Sequence, residues 1–435
     1  ARSRVRRPDE GRPVSTPSAD DVAAAALRAA AVTRAVVRSA VVGGAVGLAA
    51  SAAASALATH FARRVVTPER ARPDDVRVLA VEADRVVLAA DDLSSAPGRY
   101  GLWTDGGAAH SRVGEVVGVE VPVRRGGQRA VVRELLGTDS GVLRPGPGRL
   151  SGWYHSGDPG RALGLPFDDV VVRSPVGELP AWLVHPAPGG AADGDAGGGG
   201  DGEQGRVWAV LVHGRGGTRE ECLRALPLLH RLGVPALVPS YRNDPDAPGS
   251  PSGRYGLGDT EWVDVEAAVL HALDAGARDV VLLGWSMGGA IVLSALSRSW
   301  TADRVRAVVL DGPVLDWRTV LDHQARLHGV PRPLGRAGAA LMGSPLARTA
   351  LGVEAPLDLD RLDWVARAEE LRVPLLLVHG EADAVVPVGP SRLLAASRPD
   401  LVTLLEFPGA GHCREWNTDP DRWEREVARF LLEHL

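Results

Sequence analysis

The sequence lacks lysine, so all 49 of its basic residues are arginine. With 54 acidic residues they give a formal net charge of −5, and a mildly acidic chain of this kind is not expected to bind nucleic acids in general. Because arginine is the only cation used, an arginine-rich surface is by itself weak evidence for a binding site. The 435 residues suffice for a large core and, we expect, for two domains.

Cysteine is also scarce, and Cys222 and Cys413 are the only two. A disulfide needs Cα atoms within about 7 Å of each other. The sequence does not reveal this distance, so the pairing of the two cysteines stays open.

No set of Cys and His residues has the spacing of a metal site, and no glycine-rich loop has the Lys of a phosphate-binding loop. The sequence therefore predicts neither a metal nor a cofactor.

One turn organises the second half of the chain. Val280–Leu283 is an apolar run typical of a buried parallel strand, and Met287–Ser297 has the pattern of a helix. Residues 284–288 between them have the form Gly-x-Ser-x-Gly. Glycines on both sides of the serine favour a sharp, strained turn that holds the hydroxyl above the edge of the sheet. Ser286 is therefore the candidate nucleophile.

Loops after two further predicted strands supply the partners that a serine nucleophile needs. Asp383 follows the strand predicted at Val373–Val378, and His412 follows the one at Leu401–Phe407. A histidine base would take the proton of the serine hydroxyl, and an aspartate would orient the imidazole. We expect Ser286, Asp383 and His412 to lie together at one edge of the sheet.

A third loop is the candidate for stabilising an oxyanion. The apolar run Val207–Val212 precedes His-Gly-Arg-Gly-Gly at residues 213–217. Such a loop can present a backbone N–H, here that of Arg215, beside the N–H of Met287 that follows the nucleophile. Each donor in such a site contributes roughly 3–4 kcal/mol to the transition state.

These motifs, in the order Ser, Asp, His, resemble the α/β-hydrolase superfamily, and within it the serine esterases and the prolyl-oligopeptidase-like and serine aminopeptidase-like branches. The resemblance covers roughly Pro166 to the C-terminus. It implies an α/β fold, with a mostly parallel twisted sheet and helices on both faces, and a Ser-His-Asp triad without a cofactor.

The resemblance leaves two activities open. One is hydrolysis of a carboxylic ester of a small or lipid-like molecule through an acyl-enzyme, and the other is cleavage of short peptides by an aminopeptidase or dipeptidyl-peptidase. A peptidase of that type needs carboxylates for the free ammonium group, and Glu220 and Glu221 are better explained as acids at a helix start. We expect ester hydrolysis, and the complete triad disfavours a non-catalytic binding protein. The oligomeric state stays open.

Three residues near these loops are candidates for contacting the substrate, namely Trp285, Tyr241 and Arg242. Trp285 adjoins the nucleophile. Tyr241 and Arg242 follow a predicted strand at Val234–Val238, in a loop on the same face of the sheet. A purely structural role is the alternative for all three.

The N-terminal part has a different composition. Residues 1–33 are predicted to be a disordered tail rich in Arg, Pro and Ala, and residues 34–64 an Ala/Gly-rich helix. The uncharged stretch Ser39–Thr59 has the length of one membrane span, about 20 residues, although Ala and Gly contribute little to insertion. A membrane anchor would place the catalytic domain outside the cytoplasm. An amphipathic or cleaved export helix, or a cytoplasmic protein, is the alternative.

Between this helix and the catalytic domain, residues 73–160 alternate short β patterns with Gly, Pro and Asp, which predicts a small β-rich domain. We expect it to be a structural cover, with control of access to the site as the alternative. The catalytic domain is predicted over residues 166–435. It includes a flexible Gly-rich insertion at 186–206 and a helical lid over the active site at 313–372.

Overall fold

The computed structural model describes residues 55–69, 72–120, 129–188 and 207–435. The chain divides into two compact units, residues 1–57 and 58–435. Of the first unit only residues 55–57 are described, and they are helical. The predicted tail at 1–33, most of the predicted helix at 34–64 and most of the 186–206 insertion lie outside the described residues. Within the four described ranges no helix is both long and apolar enough to cross a membrane, and the membrane anchor stays a prediction.

The second unit contains two sheets. The first is built from β1 (Val76–Val81), β2 (Arg85–Ala89), β3 (Tyr100–Thr104), β4 (Ala109–Glu120), β5 (Ala130–Ser140) and β6 (Gly146–Ser151). The second is built from β7 (Phe167–Ser174), β8 (Gly177–Val184), β9 (Val207–Val212), β10 (Ala236–Pro239), β11 (Asp279–Trp285), β12 (Val305–Asp311), β13 (Leu375–Gly380) and β14 (Val402–Phe407).

Helices of the described residues surround the second sheet. They are α1 (residues 58–66), α2 (Pro159–Leu163), α3 (Leu226–Arg231), α4 (Trp262–Asp274), α5 (Met287–Arg298), α6 (Trp317–Leu327), α7 (Arg332–Met342), α8 (Ala347–Ala350), α9 (Gly389–Ser397), α10 (Glu415–Thr418) and α11 (Pro420–Leu432).

The first sheet closes into a six-stranded antiparallel barrel in the order β1-β2-β5-β4-β3-β6. Its interior holds a small apolar cluster together with the fully buried side chain of Arg133. This guanidinium donates to the backbone oxygens of Ser94, Gly98 and Gly114 at 2.9, 2.9 and 2.5 Å, and also to that of Ala96. One buried cation thus satisfies three carbonyls of the connection between β2 and β3 and one of β4, and a buried charge is tolerated only with such partners.

The second sheet has the order β14-β13-β12-β11-β9-β10-β8-β7. Strands β9 to β14 are parallel, and β8 runs antiparallel to both β10 and β7. The chain leaves β9 for β10 on one side and then returns to β11 on the other. Such a reversal opens a crevice at the carboxyl ends of the adjacent strands, where α/β proteins bind ligands. The loops after β9 and β11 therefore meet there.

Side chains of β11 alternate between two apolar cores. Val280 and Leu282 belong to the core that includes α4 and α5, whereas Val281, Leu283 and Trp285 belong to the core that includes α3 and α11. This alternation follows from the two-residue period of a strand that is buried on both faces. Each fully buried aliphatic side chain contributes roughly 1.5–3 kcal/mol, so the register of β11 is strongly fixed.

Helix α1 corrects part of the prediction for residues 34–64. Ala62 and Val66 are fully buried in the core that includes α4 and α5, and Phe61 and Val65 pack against it. The end of the predicted N-terminal helix is thus part of the folded catalytic domain.

The barrel yields a stability prediction. Replacing Arg133 by Met would leave four backbone oxygens without their donor, and unsatisfied buried polar groups are costly. We expect the free energy of unfolding to fall by roughly 3 kcal/mol or more, measured by chemical denaturation followed through tryptophan fluorescence. Arg77→Met, at an exposed position of β1, is the matched control. Equal losses in the two variants would contradict a structural role for Arg133.

Candidate active site

The turn after β11 holds Ser286 in a strained conformation, with φ 53° and ψ −117°. Its N–H donates to Asp311 O at 3.0 Å, and its own carbonyl accepts from Gly289 N at 3.0 Å and Val314 N at 3.1 Å. A Cβ on Gly288 would lie 2.2 Å from Val212 O, which only glycine avoids. The Gly-x-Ser-x-Gly pattern is therefore required by close packing between α5 and β9, and positive φ in a non-glycine residue is typical of a functional site.

The structure brings Ser286, His412 and Asp383 together as the sequence predicts. His412 Nε2 lies 2.9 Å from Ser286 Oγ, and His412 Nδ1 lies 2.7 Å from Asp383 Oδ2. The imidazole is 20% exposed, whereas the carboxylate is fully buried. A base that contacts the hydroxyl on one side and a carboxylate on the other has the geometry of a nucleophile, a base and an orienting group.

The carboxylate of Asp383 has further donors. Its Oδ1 accepts from the N–H groups of Val385 and Val386 at 2.7 and 2.8 Å, and His379 Nε2 lies 3.4 Å from its Oδ2. Burial alone would raise the pKa of Asp383, but the charge of His412 and hydrogen bonds from His379, His412 and Val386 outweigh it and hold that pKa well below its usual range. Asp383 thus stays ionised. His379 is the penultimate residue of β13, and no sequence pattern indicates its contact with Asp383.

The two candidate oxyanion donors are oriented by the loop after β9. Gly214 lies against the nucleophile, since a Cβ there would be 3.1 Å from the Cβ of Ser286. Within the described residues, neither Arg215 N–H nor Met287 N–H has a hydrogen-bond acceptor, and Arg215 lines the cavity at Ser286. Both amides thus keep an unused donor, and that of Arg215 belongs to a residue that lines the cavity.

Glu221 holds this loop, a role that the sequence analysis did not recognise. Its buried Oε2 accepts from Gly214 N at 2.6 Å, and its Oε1 lies 3.4 Å from Arg224 Nη2. Arg224 Nη1 in turn donates to Cys413 O at 2.6 Å. Burial would raise the pKa of Glu221, but Arg224 and the Gly214 N–H lower it on balance. The ionised carboxylate connects the Arg215 loop to the His412 loop.

The side chain of Arg215 binds a neighbouring segment, whereas its backbone N–H is a candidate oxyanion donor. Its guanidinium donates to the carbonyls of Val65 and Arg64, each at 2.8 Å, and of Thr67 at 3.1 Å, and it pairs with Glu69 at 3.2 Å. It thereby fixes the segment after α1 against the loop that follows β9.

A cavity of about 300 Å³ opens at Ser286 and His412, which is near the lower end of the range for ligand sites. Its other walls come from the segment after α1, the barrel and the loops around Gly214 and Cys413. These residues are Glu69, Arg72, Pro73, Asp75, Leu93, Arg149, Leu150, Ser151, Gly152, Trp153, Gly214, Arg215, Glu221, Arg224, Cys413 and Arg414. The barrel therefore forms part of the wall.

The predicted lid is helical but does not line this cavity. Helices α6, α7 and α8 occupy residues 313–372, and none of the residues lining the cavity at Ser286 belongs to that segment. Of these helices, α6 and α7 line a separate groove of about 970 Å³ together with Gly343 and residues 356–360. Their link to the triad is indirect, because Gln324 donates to the carbonyls of Ala384 and Val385, next to Asp383, at 2.9 and 2.8 Å.

The structure also places the three predicted substrate residues away from the cavity. Trp285 is 1% exposed and packs in the core with Leu283, as the strand period requires. Tyr241 stacks on His213 with 4.3 Å between ring centroids, and its hydroxyl donates to Gly214 O at 3.1 Å. Arg242 forms a bidentate pair with Asp264, at 2.7 and 2.9 Å. All three are structural residues.

The two cysteines are free and buried. Cys222 packs in the core that includes α3, whereas Cys413 Sγ lies 3.4 Å from Asp311 O. Burial raises the pKa of both thiols well above the usual range, so both are protonated. In the part of the chain that the structure describes, no group of three or more His, Cys, Asp or Glu side chains is placed to hold a metal ion.

A pair of buried carboxyl groups lies beneath the triad. Glu415 Oε1 accepts from Gly380 N at 2.6 Å, and Asp311 Oδ2 accepts from Trp423 Nε1 at 2.8 Å. Within the described residues, the second oxygens, Glu415 Oε2 and Asp311 Oδ1, have no other donor. A proton on Glu415 that is shared with Asp311 satisfies both, and burial followed by the charge of Asp311 raises the pKa of Glu415 well above its usual range.

Comparison with known proteins agrees with this architecture. Residues 209–429, just over half of the chain, match the model of the family described as the alpha/beta hydrolase family. The chain therefore belongs to the α/β-hydrolase family. Residues 77–151, which form most of the barrel, match a family described as a domain of unknown function (DUF8805).

Individual relatives are distant. The pimeloyl-[acyl-carrier protein] methyl ester esterase of Chromobacterium violaceum is 30% identical over 186 residues, which cover 35% of this chain and 69% of that protein. The uncharacterized protein YfhR of Escherichia coli is 23% identical over 227 residues, which cover 52% of this chain and 70% of that protein. A solved structure of the Pyrococcus furiosus esterase Pf2001 is 18% identical, with a TM-score of 0.46, and the match covers 64% of this chain and 96% of that one.

The carboxyl pair predicts how stability depends on pH. The folded state keeps a proton on Glu415 that the unfolded chain releases above its ordinary pKa of 4.5. The contribution of Glu415 to the free energy of unfolding therefore falls as pH rises above that value. Glu415→Gln keeps an acceptor for Gly380 N and a donor for Asp311 but does not titrate. The melting temperature of this variant minus that of the wild type should therefore increase from pH ~5 to pH ~8.

The control for this measurement is Glu433→Gln, at an exposed position after α11. The difference in melting temperature between Glu433→Gln and the wild type should not change over the same pH interval. A difference between Glu415→Gln and wild type that is equal at both pH values would show that Glu415 is ionised in the folded state.

Proposed function

We propose that this protein is a serine hydrolase that cleaves a carboxylic ester through an acyl-enzyme. The observation that carries this proposal is the chain of hydrogen bonds Asp383–His412–Ser286 at a strained strand-to-helix turn. The pimeloyl-[acyl-carrier protein] methyl ester esterase of C. violaceum, whose name specifies an ester, supports ester hydrolysis in a relative.

In the first half of the proposed reaction, His412 Nε2 takes the proton of Ser286 Oγ, and the oxygen attacks the ester carbonyl. The negative charge moves to the carbonyl oxygen, where the N–H groups of Met287 and Arg215 donate to it. The imidazolium formed at this step is stabilised by the ionised Asp383. When the intermediate collapses, the bond to the alcohol oxygen breaks and His412 returns its proton to the leaving alcohol.

In the second half, a water molecule gives a proton to His412 Nε2 and attacks the acyl group on Ser286. The same two N–H groups stabilise the second oxyanion. Collapse of this intermediate breaks the bond to Ser286 Oγ, which recovers its proton from His412, and the carboxylic acid leaves.

Peptide cleavage from a free N-terminus has less support. Glu221 accepts from Gly214 N, and Glu220 Oε1 accepts from Gly157 N at 2.9 Å. Both carboxylates of the acidic pair are therefore engaged in holding loops, which leaves them poorly placed to receive an ammonium group.

The first test is Ser286→Ala. The control is Ser297→Ala, at an exposed position of α5, the helix that follows Ser286. Nitrophenyl esters from acetyl to long acyl chains would be assayed beside aminoacyl and dipeptidyl anilides. We expect ester turnover to fall about 10⁴-fold or more in Ser286→Ala and to be unchanged in Ser297→Ala. Turnover that survives in Ser286→Ala would overturn the mechanism, and turnover of anilides alone would make the enzyme a peptidase.

A second test concerns Asp383. Because the pKa of Asp383 lies well below its usual range, this carboxylate stays ionised over the acid range of an activity profile. We therefore expect the acid limb of the profile of kcat/KM against pH to have unit slope. Asp383→Asn should lower kcat by about 10³–10⁴-fold, with a circular dichroism spectrum like that of the wild type. A slope of two above pH ~4 would mean that a second group titrates with activity and would contradict an Asp383 that stays ionised.

A further inference from the structure

The charges that line the cavity at Ser286 are mostly positive, in a chain whose net charge is −5. Five arginines face three carboxylates: Arg72, Arg149, Arg215, Arg224 and Arg414 against Glu69, Asp75 and Glu221. Composition does not explain this excess, because the chain has more acidic than basic residues.

Two of these arginines are neutralised by carboxylates in the same wall. Arg215 pairs with Glu69 at 3.2 Å, and Arg224 pairs with Glu221 at 3.4 Å. Their other guanidinium nitrogens donate to backbone carbonyls. Both are therefore structural cations that shape the cavity and add little net charge to it.

The other three, Arg72, Arg149 and Arg414, form no ion pair with a carboxylate in the described part of the chain. Arg72 lies over the ring of Trp153 at 4.0 Å and donates to Gly216 O at 2.8 Å. Arg149, from β6, donates to Arg72 O at 3.2 Å, which brings the two residues together. Only Asp75 remains in the wall as an unpaired carboxylate.

Arg149 and Arg414 have side-chain N–H donors without an acceptor among the described residues. The buried Nε of Arg149 has no acceptor within the described residues. Arg414, two residues after His412, has its guanidinium 5.6 Å from the centre of the Tyr100 ring and makes no side-chain hydrogen bond to the described residues. Arg72 and Arg149 are like charges held close together, which is unfavourable, and a bound anion would reduce that cost.

We propose that this cavity binds the anionic group of the substrate, a carboxylate or phosphate carried by an ester whose carbonyl lies at Ser286, with Arg149, Arg414 and Arg72 as the cations that receive it. A guanidinium matches both anions through paired N–H donors. The inference rests on the proposed ester hydrolysis and names its substrate class. It also gives the barrel a role in specificity, because Arg149 belongs to β6.

The test compares anionic esters with neutral analogues of similar shape. Monomethyl glutarate against the methyl ester of glutaramic acid tests an anion on the acyl side. Para-acetoxybenzoate against para-acetoxybenzamide tests a carboxylate on the alcohol side, and phenyl acetate with and without a para-phosphate group tests a phosphate there. For each pair the measured quantity is kcat/KM of the anionic ester divided by that of the neutral one.

We expect this ratio to exceed one by about tenfold or more in the wild type for at least one pair, and to fall as ionic strength rises. Arg149→Gln and Arg414→Gln should each lower it, by about tenfold to a hundredfold. Arg149→Lys keeps the charge without the paired donors and should lower it less. The control Arg425→Gln, at an exposed position of α11, should leave the ratio unchanged.

Three results would overturn the proposal: ratios of one or below for every pair, ratios that do not depend on salt, or ratios that the arginine variants leave unchanged. A failure of the proposed ester hydrolysis is distinguishable from these three results, because no ester would then be turned over through Ser286. In that case calorimetric titration of glutarate and of inorganic phosphate into Ser286→Ala still tests the site, with binding expected and its loss expected in Ser286→Ala/Arg149→Gln. Absence of binding would likewise contradict the proposal.

Discussion

At the carboxyl end of β9, the first turn of α5 packs so closely that a Cβ on Gly288 would clash with both Val212 O and His213 O, at 2.2 and 2.6 Å. Because α5 and β9 approach this closely, the chain between β11 and α5 must turn sharply, and Ser286 adopts positive φ. A strained residue of this kind costs roughly 1–3 kcal/mol, and backbone hydrogen bonds to Asp311, Val314 and Gly289 offset the strain. The same approach places the loop after β9 against the nucleophile, where a Cβ on Gly214 would lie 3.1 Å from the Cβ of Ser286.

Buried carboxyl groups hold the loops around this turn. Glu221 accepts from Gly214 N, Glu415 from Gly380 N and Asp383 from Val385 N and Val386 N, all between 2.6 and 2.8 Å. The hydrogen bonds to the ionised Glu221 and Asp383 are stronger than neutral ones, and low dielectric makes the loss of any of them costly. The loops that carry the candidate catalytic groups are thus held in place by buried side chains of the hydrolase domain.

The sequence predicted the parts of the site that are local. Ser286, Asp383 and His412 each follow an apolar strand, and parallel strands bring their ends together whatever the rest of the chain does. Trp285 was misassigned because the face of a strand residue depends on register, and it continues the inward series of Val281 and Leu283. Tyr241 and Arg242 lie in the expected loop, but their partners His213 and Asp264 are set by tertiary packing.

The sequence patterns could not predict contacts between segments that are far apart in the chain. Glu415 and Gly380 are 35 residues apart, and Arg149 lies far before Ser286 in the chain yet lines the same cavity. The region predicted to be a small β-rich domain is built from strands, whereas its position beside the nucleophile depends on complementary surfaces. The helices at 313–372 likewise follow from periodicity, but which cavity they line does not.

The contact between the barrel and α10 has one more consequence. Asn417, five residues after His412, donates to Arg99 O at 2.7 Å and Gly152 O at 2.9 Å, and its carbonyl accepts from Arg99 N at 2.9 Å. A Cβ on Gly98 would lie 2.2 Å from Asn417 O, so the two backbones are in direct contact. In evolutionary terms, a recombination event that replaced the barrel would also disturb the loop that carries His412. The barrel and the hydrolase domain are thus expected to be inherited as a pair.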